Sequence, residues 1–164
     1  MTIDEVISVL EMQEEILQFS HFTNADAWTL GNMLVAEAQR RGASVMISIR
    51  LNNGFTVFQY GFDGTNLYNE NWISRKQKTV MVTEKSSLHL AMVLRRSGET
   101  LEDMMMDPKE FAASGGGFPI RVEEVGVIGS VLVSGMDPVS DHDLIIKAVS
   151  RYLHIDEVPR IRAV

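Results

Sequence analysis

Between Ser114 and Leu153 the chain reads Ser114-Gly-Gly-Gly-Phe-Pro-Ile120, then Val125-Gly-Val-Ile-Gly-Ser-Val-Leu-Val-Ser-Gly135, then Asp141-His-Asp-Leu-Ile-Ile146. Three consecutive glycines cannot sit inside a helix without heavy entropic cost, so this run is a bend feeding a strand. The alternating apolar run to Ser134 is a second strand, antiparallel to the first across Glu123-Glu124. Ser140-Asp-His-Asp143 resembles a capping box, and Leu144, Ile145, Ala148, Val149, Tyr152 and Leu153 make the apolar stripe of a closing helix. A hairpin followed by an amphipathic helix needs further layers to bury both apolar faces.

The rest of the chain supplies them. Ile3, Val6, Ile7, Leu10 and Leu17 fall at helical spacing, with glutamates elsewhere. A second helix starts at Thr23 or Asn24, carries Ala27, Leu30, Gly31, Leu34 and Ala38, and ends at Gly42. Val45, Ile47, Ile49 and Leu51 alternate with Ser44, Met46, Ser48 and Arg50, and Asn52-Asn53-Gly54 turns the chain into a returning strand, Phe55 to Tyr60. A mixed helix runs from about Asn66 to Val82, with Trp72, Arg75, Lys76 and Thr79 on one face. Another follows from Ser86 or Ser87 to Gly98, and Thr100-Leu-Glu-Asp103 opens a short one through Met104-Met105-Met106. Pro119 suits an edge strand, and the tail from Asp156 is a docked or frayed end. The order of elements predicts one α+β domain over residues 1–164: an antiparallel sheet with helices packed on it.

Composition narrows the function classes. With 15 basic against 22 acidic residues the net charge is -7, and no basic run offsets it, which argues against nucleic acid. Cysteine is absent, excluding disulfides, thiolate nucleophiles and Cys-based zinc sites. The acidic start Met1-Thr-Ile-Asp-Glu-Val and the lack of a long apolar run point to a cytoplasmic protein with no membrane association.

Taken together, Gly-Gly-Gly-Phe-Pro-Ile-Arg, Val-Ile-Gly-Ser-Val-Leu-Val-Ser-Gly, Asp-His-Asp-Leu and the upstream Trp72-Ile-x-Arg-Lys76 resemble the GlcG/HbpS-like proteins, a haem-degrading domain family. The likeness runs from about Ile3 to Leu153 and is strongest to the uncharacterised bacterial and fungal branch. It implies a profilin-like sandwich and a homo-oligomer. Relatives in the haem-related branch bind haem or take part in its handling, while the branch most like this chain has no established activity, so the resemblance leaves the cofactor open with haem as one candidate.

The residues themselves leave the chemistry open. Gly115, Gly116 and Gly117 form either a nest of backbone donors for an anion or carbonyl, or a bend that admits close packing. Their spacing is not that of a nucleotide-binding loop. Trp72, Arg75 and Lys76 set a flat ring beside two cations, suited to a planar carboxylate ligand, to a subunit contact or to a protein partner. His142 is the candidate proton donor or acceptor, with the glycine amides steadying a developing negative charge. Asp141, His142 and Asp143 point about 100° apart on a helix and so do not form a metal site; capping and surface hydrogen bonding account for the carboxylates. His21, His89 and His154 are scattered, and the Met104–Met106 run reads as adaptable packing. Two functions follow: an oligomeric protein binding a small anionic or planar ligand or a protein partner, or a haem-handling protein or enzyme that uses His142.

Overall fold

The computed structural model describes residues 1–162. Helices α1 (Ile3–Ile16) and α2 (Asn24–Arg41) precede a hairpin of β1 (Met46–Leu51) and β2 (Thr56–Gly61). Helices α3 (Leu67–Thr83) and α4 (Ser87–Ser97) lead to a second hairpin, β3 (Gly117–Val122) and β4 (Gly126–Ser134), and α5 (Pro138–Tyr152) closes the chain. The four strands form one antiparallel sheet in the order β2-β1-β4-β3. This is the expected α+β architecture, with helices on both faces.

Local chemistry sets most boundaries. Thr2 and Thr23 close reciprocal capping boxes with Glu5 and Asp26, and Gly42 and Gly98 end α2 and α4 in the left-handed conformation. The last helix differs from expectation. Asp137 caps α5, accepting from the backbone N–H of Ser140, and Pro138 occupies the first turn, where its missing N–H costs nothing. The helix therefore begins before Ser140, and Asp141, His142 and Asp143 belong to its body. The methionine run also departs: only a 3₁₀ turn forms (Glu102–Met104), Met105 is left-handed and exposed, and Met106 is buried. Of the tail, Pro159 O accepts from Gln13 Nε2 at 2.7 Å, so its described part is docked; Ala163 and Val164 lie outside the described residues.

The two faces of the sheet carry unlike chemistry. Toward α2 and α5 it presents Ile47, Ile49, Phe118, Val131 and Val133, which join Leu30, Leu34, Leu144 and Ile145 in the main core. At roughly 1.5–3 kcal/mol per fully buried aliphatic side chain, this face supplies most of the burial energy. Toward α3 the contact is partly polar. Arg50, only 7% exposed, donates to Ser48 Oγ (2.9 Å), Ser74 Oγ (3.1 Å), Gln59 Oε1 (3.0 Å) and Glu70 Oε1 (2.6 Å). The polar positions that alternate along β1 thus lie under a helix, where hydrogen bonds replace lost water.

Candidate functional site

The polar interlayer continues beyond Arg50 to a second buried cation. Lys76 of α3 stands on the same helical face as Ile73 and Val80, and its side chain is 3% exposed. Its Nζ donates to Val133 O at 2.8 Å and meets Asp141 Oδ2 at 3.3 Å. Asp141, 2% exposed, accepts at Oδ1 from the Met136 N–H at 2.9 Å. Helix α3, the end of β4 and the first turn of α5 are thereby tied at one point.

Burial disfavours charge on both partners. It lowers the Lys76 amine below the ordinary lysine range, against the opposing pull of Asp141. It raises the Asp141 carboxyl to about 6, with Lys76 and the Met136 N–H acting in the other direction. A buried ion pair is weak evidence for stability, because desolvation offsets the mutual attraction. Buried titratable groups at a cavity wall are instead a mark of functional sites.

Such a cavity is present. About 350 Å³ in volume, it is lined by Tyr68, Asn69, Trp72 and Lys76 from α3, by Ser114, by Ser134, Gly135 and Met136, and by Pro138 and Asp141. The lining combines two aromatic rings, several hydroxyl and amide groups and one acid–amine pair, the mixture expected of a small-molecule site.

The sequence candidates divide within this geometry. Trp72 and Lys76 line the cavity. Arg75 does not: its guanidinium lies 4.4 Å from the Trp72 ring centroid and donates to Pro108 O at 3.2 Å. The three glycines lie behind the cavity wall, beside Ser114. A Cβ on Gly116, whose φ is +120°, would strike Val133 O and come within 2.6 Å of Lys76 Nζ. One on Gly115 would overlap Pro138 O, and one on Gly117 would press on Val80 and Ser87 at 3.0 Å. Gly117 N already donates to Ser87 Oγ at 2.9 Å. Gly116 makes room for the lysine amine, and its two neighbours admit α5 and α4.

His142 faces elsewhere. It is 1% exposed, its Nε2 bonds Gln13 Oε1 at 2.7 Å, and its ring lies 6.0 Å from that of Phe118. Its Nδ1 has no partner among the described residues. Burial pushes the imidazole down to about 4, keeping it neutral near pH 7 despite Glu14 and Asp143. It does not line the cavity, so in this geometry it has no route to a ligand held there. The two carboxylates divide: the surface hydrogen bonding expected of them holds for Asp143 and not for Asp141. Asp141 is enclosed, and Asp143 binds Arg160 (2.8 Å at Nε) and Arg41 (3.1 Å).

Sequence reasoning missed Asp141, Tyr68, Asn69, Ser134 and Met136. A signal existed for Asp141 and for its pairing with Lys76. Asp141 lies three and four residues before Leu144 and Ile145 on the apolar stripe, and Lys76 sits between Ile73 and Val80 on another. An acid and a base placed on two buried stripes invite pairing.

Haem can be tested against these side chains. Histidine is absent from the lining, the Lys76 amine is engaged by Val133 O and Asp141, and Tyr68 is 69% exposed at the mouth. Met136 is the one remaining soft donor of the lining. The cavity of the single chain does not fit a haem. Among the described residues, no group of three or more His, Cys, Asp or Glu is placed to hold a metal ion, and no helix is long and apolar enough to cross a membrane.

Comparison with known proteins places this geometry in a family. A UPF0303 protein of Streptomyces avermitilis is 41% identical over 148 residues, covering 90% of each chain. The crystal structure of Ybr137w protein superposes with a TM-score of 0.83 at 27% identity, over 93% of this chain and 88% of that one. The crystal structure of a PduOC:heme complex shares the fold, with a TM-score of 0.67 at 20% identity over 79% of this chain and 93% of the other. The family model described as "Haem degrading protein HbpS-like" matches residues 22–150. With that match across most of its length and UPF0303 proteins as its relatives, the chain belongs to the HbpS-like family.

Proposed function

We propose that the protein binds a small planar molecule carrying a carbonyl or carboxylate, in the cavity between α3 and the start of α5. The observation that carries this reading is the Lys76–Asp141 pair, enclosed on the protein side yet lining a cavity shared with Trp72. The amine and the hydroxyls of Ser114 and Ser134 suit an oxygen acceptor, and Trp72 and Tyr68 suit a flat body. Family membership supports a ligand-binding or haem-related role, and the lining favours the smaller ligand.

Titration with benzoate, followed by tryptophan fluorescence, tests this directly. The expected result is saturable quenching that disappears in Trp72→Phe, which leaves Trp28 as the sole indole. Quenching that persists in Trp72→Phe, or none in the native protein, removes the cavity from consideration. Hemin added to the same sample is expected to give no stoichiometric Soret shift, and a sharp one-to-one shift would favour the haem-handling reading instead.

A homo-oligomer belongs to the same proposal. Trp28 (66% exposed), Leu67 (83%), Tyr68 (69%) and Val125 (70%) are large apolar groups left in water. Leu67 and Tyr68 flank the cavity mouth, where a second subunit or another protein partner would close it. Light scattering on a sizing column is expected to give a multiple of the chain mass, reduced by Leu67→Glu, and a monomer at micromolar concentration would sink this part.

A further inference from the structure

We propose that Lys76 is a carbonyl-capturing amine, forming an imine with an aldehyde or ketone that enters the Trp72 cavity, with Asp141 carrying the proton. The inference rests on the binding reading above and names its ligand class more narrowly.

Three observations carry it. The amine is held rather than mobile: Val133 O at 2.8 Å and Asp141 Oδ2 at 3.3 Å fix Nζ at the cavity wall, and the glycine bend closes behind it. An acid lies within reach of the same atom, as imine formation requires. Burial also weakens the hold of charge on both groups, which eases passage of the proton from Nζ to the carboxylate.

The step balances as follows. The ammonium proton passes to the Asp141 carboxylate, leaving an amine whose lone pair attacks the carbonyl carbon. The C–N bond forms, the carbonyl π pair moves to oxygen, and the proton released by nitrogen passes to that oxygen. Asp141 then protonates the hydroxyl, the C–O bond breaks, water departs, and the nitrogen lone pair completes a protonated C=N bond. One carbonyl and one lysine ammonium give one iminium and one water, with no oxidant or reductant required.

The test is reductive trapping. The full chain is incubated at neutral pH with benzaldehyde and sodium cyanoborohydride, and adducts are located by peptide mass mapping. Lys78, on the same helix but with a side chain 42% exposed, is the internal reference. The expected result is labelling of Lys76 about tenfold faster than Lys78, a preference lost in urea. Asp141→Asn is expected to slow trapping about 100-fold. Labelling of Lys76 no faster than Lys78 overturns the proposal, and an unchanged rate in Asp141→Asn overturns the acid's part. Benzoate quenching on the same preparation separates the two readings. Quenching without a Lys76 adduct retires the imine and keeps the ligand cavity; absence of both retires each. The wild-type map decides the matter even where a variant fails to fold.

Discussion

Lys76→Met is expected to destabilise the protein by roughly 3–5 kcal/mol, the range for breaking one half of a buried ion pair. The methionine fills most of the lysine's volume, so the loss is electrostatic and not one of packing. It leaves the Asp141 carboxyl enclosed, with the Met136 N–H still donating to it but no cation beside it. That carboxyl is already raised to about 6, and loss of the cation raises it further. A raised carboxyl contributes stability that is complete below its unfolded value of 3.8 and is lost as pH rises through the folded value. The cost of Lys76→Met therefore grows from pH 5 to pH 8. Adding Asp141→Leu is expected to return most of the stability, because two apolar groups of similar size replace a pair whose desolvation was expensive. The double variant should fold and yet fail to quench with benzoate. Urea melts at several pH values read all of this, and a single variant as stable as the parent at pH 8 would show that the pair is not enclosed.

The second large effect belongs to His142. Its folded value of about 4 lies well below the ordinary 6.5, a displacement worth roughly 3 kcal/mol. A depressed group contributes stability above its unfolded value, and that contribution drains away as pH falls from 6.5 to 4. Below pH 4 both states are protonated and the loss is complete. Asp141 runs the other way through part of the same window, gaining relative stability as pH falls from 6 toward 3.8. His142→Gln can keep the bond to Gln13 without a titrating ring, and it should flatten the acid limb of the stability curve by about the amount His142 contributes. The measurement is the difference in unfolding free energy between parent and variant at pH 7 and pH 4.5. A difference independent of pH would mean that the imidazole is not protected from protonation in the folded state.

The chain disclosed its elements more fully than its site. Alternation in Val45–Leu51, the Asn52-Asn53-Gly54 turn and the capping residues of α2 and α4 act over a few neighbours, so local spacing reveals them. The start of α5 was misplaced because Ser140-Asp-His-Asp143 imitates a cap, while Asp137-Pro138 upstream supplies the real one. The site depends on partners 65 residues apart, Lys76 and Asp141, which meet at the end of β4, where Val133 O also accepts from the amine. Taken alone, Asp141 resembles a surface cap and Lys76 a cation beside Trp72, and nothing in local spacing joins them. The glycine run reads as a donor nest or as a packing bend; Gly116 lies close against Lys76 Nζ, while Gly115 abuts Pro138 and Gly117 abuts Val80 and Ser87. The binding roles of Trp72 and Lys76 rest with the titrations described above. Arg75 bears on the ring of Trp72, and His142 on the α1–α5 contact through Gln13.

The unlike faces of the sheet have a consequence for how such a protein can diverge. Grease on the α2–α5 side tolerates exchange of one aliphatic group for another, whereas the Arg50 and Lys76 side is written in directional bonds that fix where α3 lies. Descendants of one ancestor could therefore retune what they hold by rewriting a handful of polar letters on a single helix, while the opposite half of the molecule kept them standing.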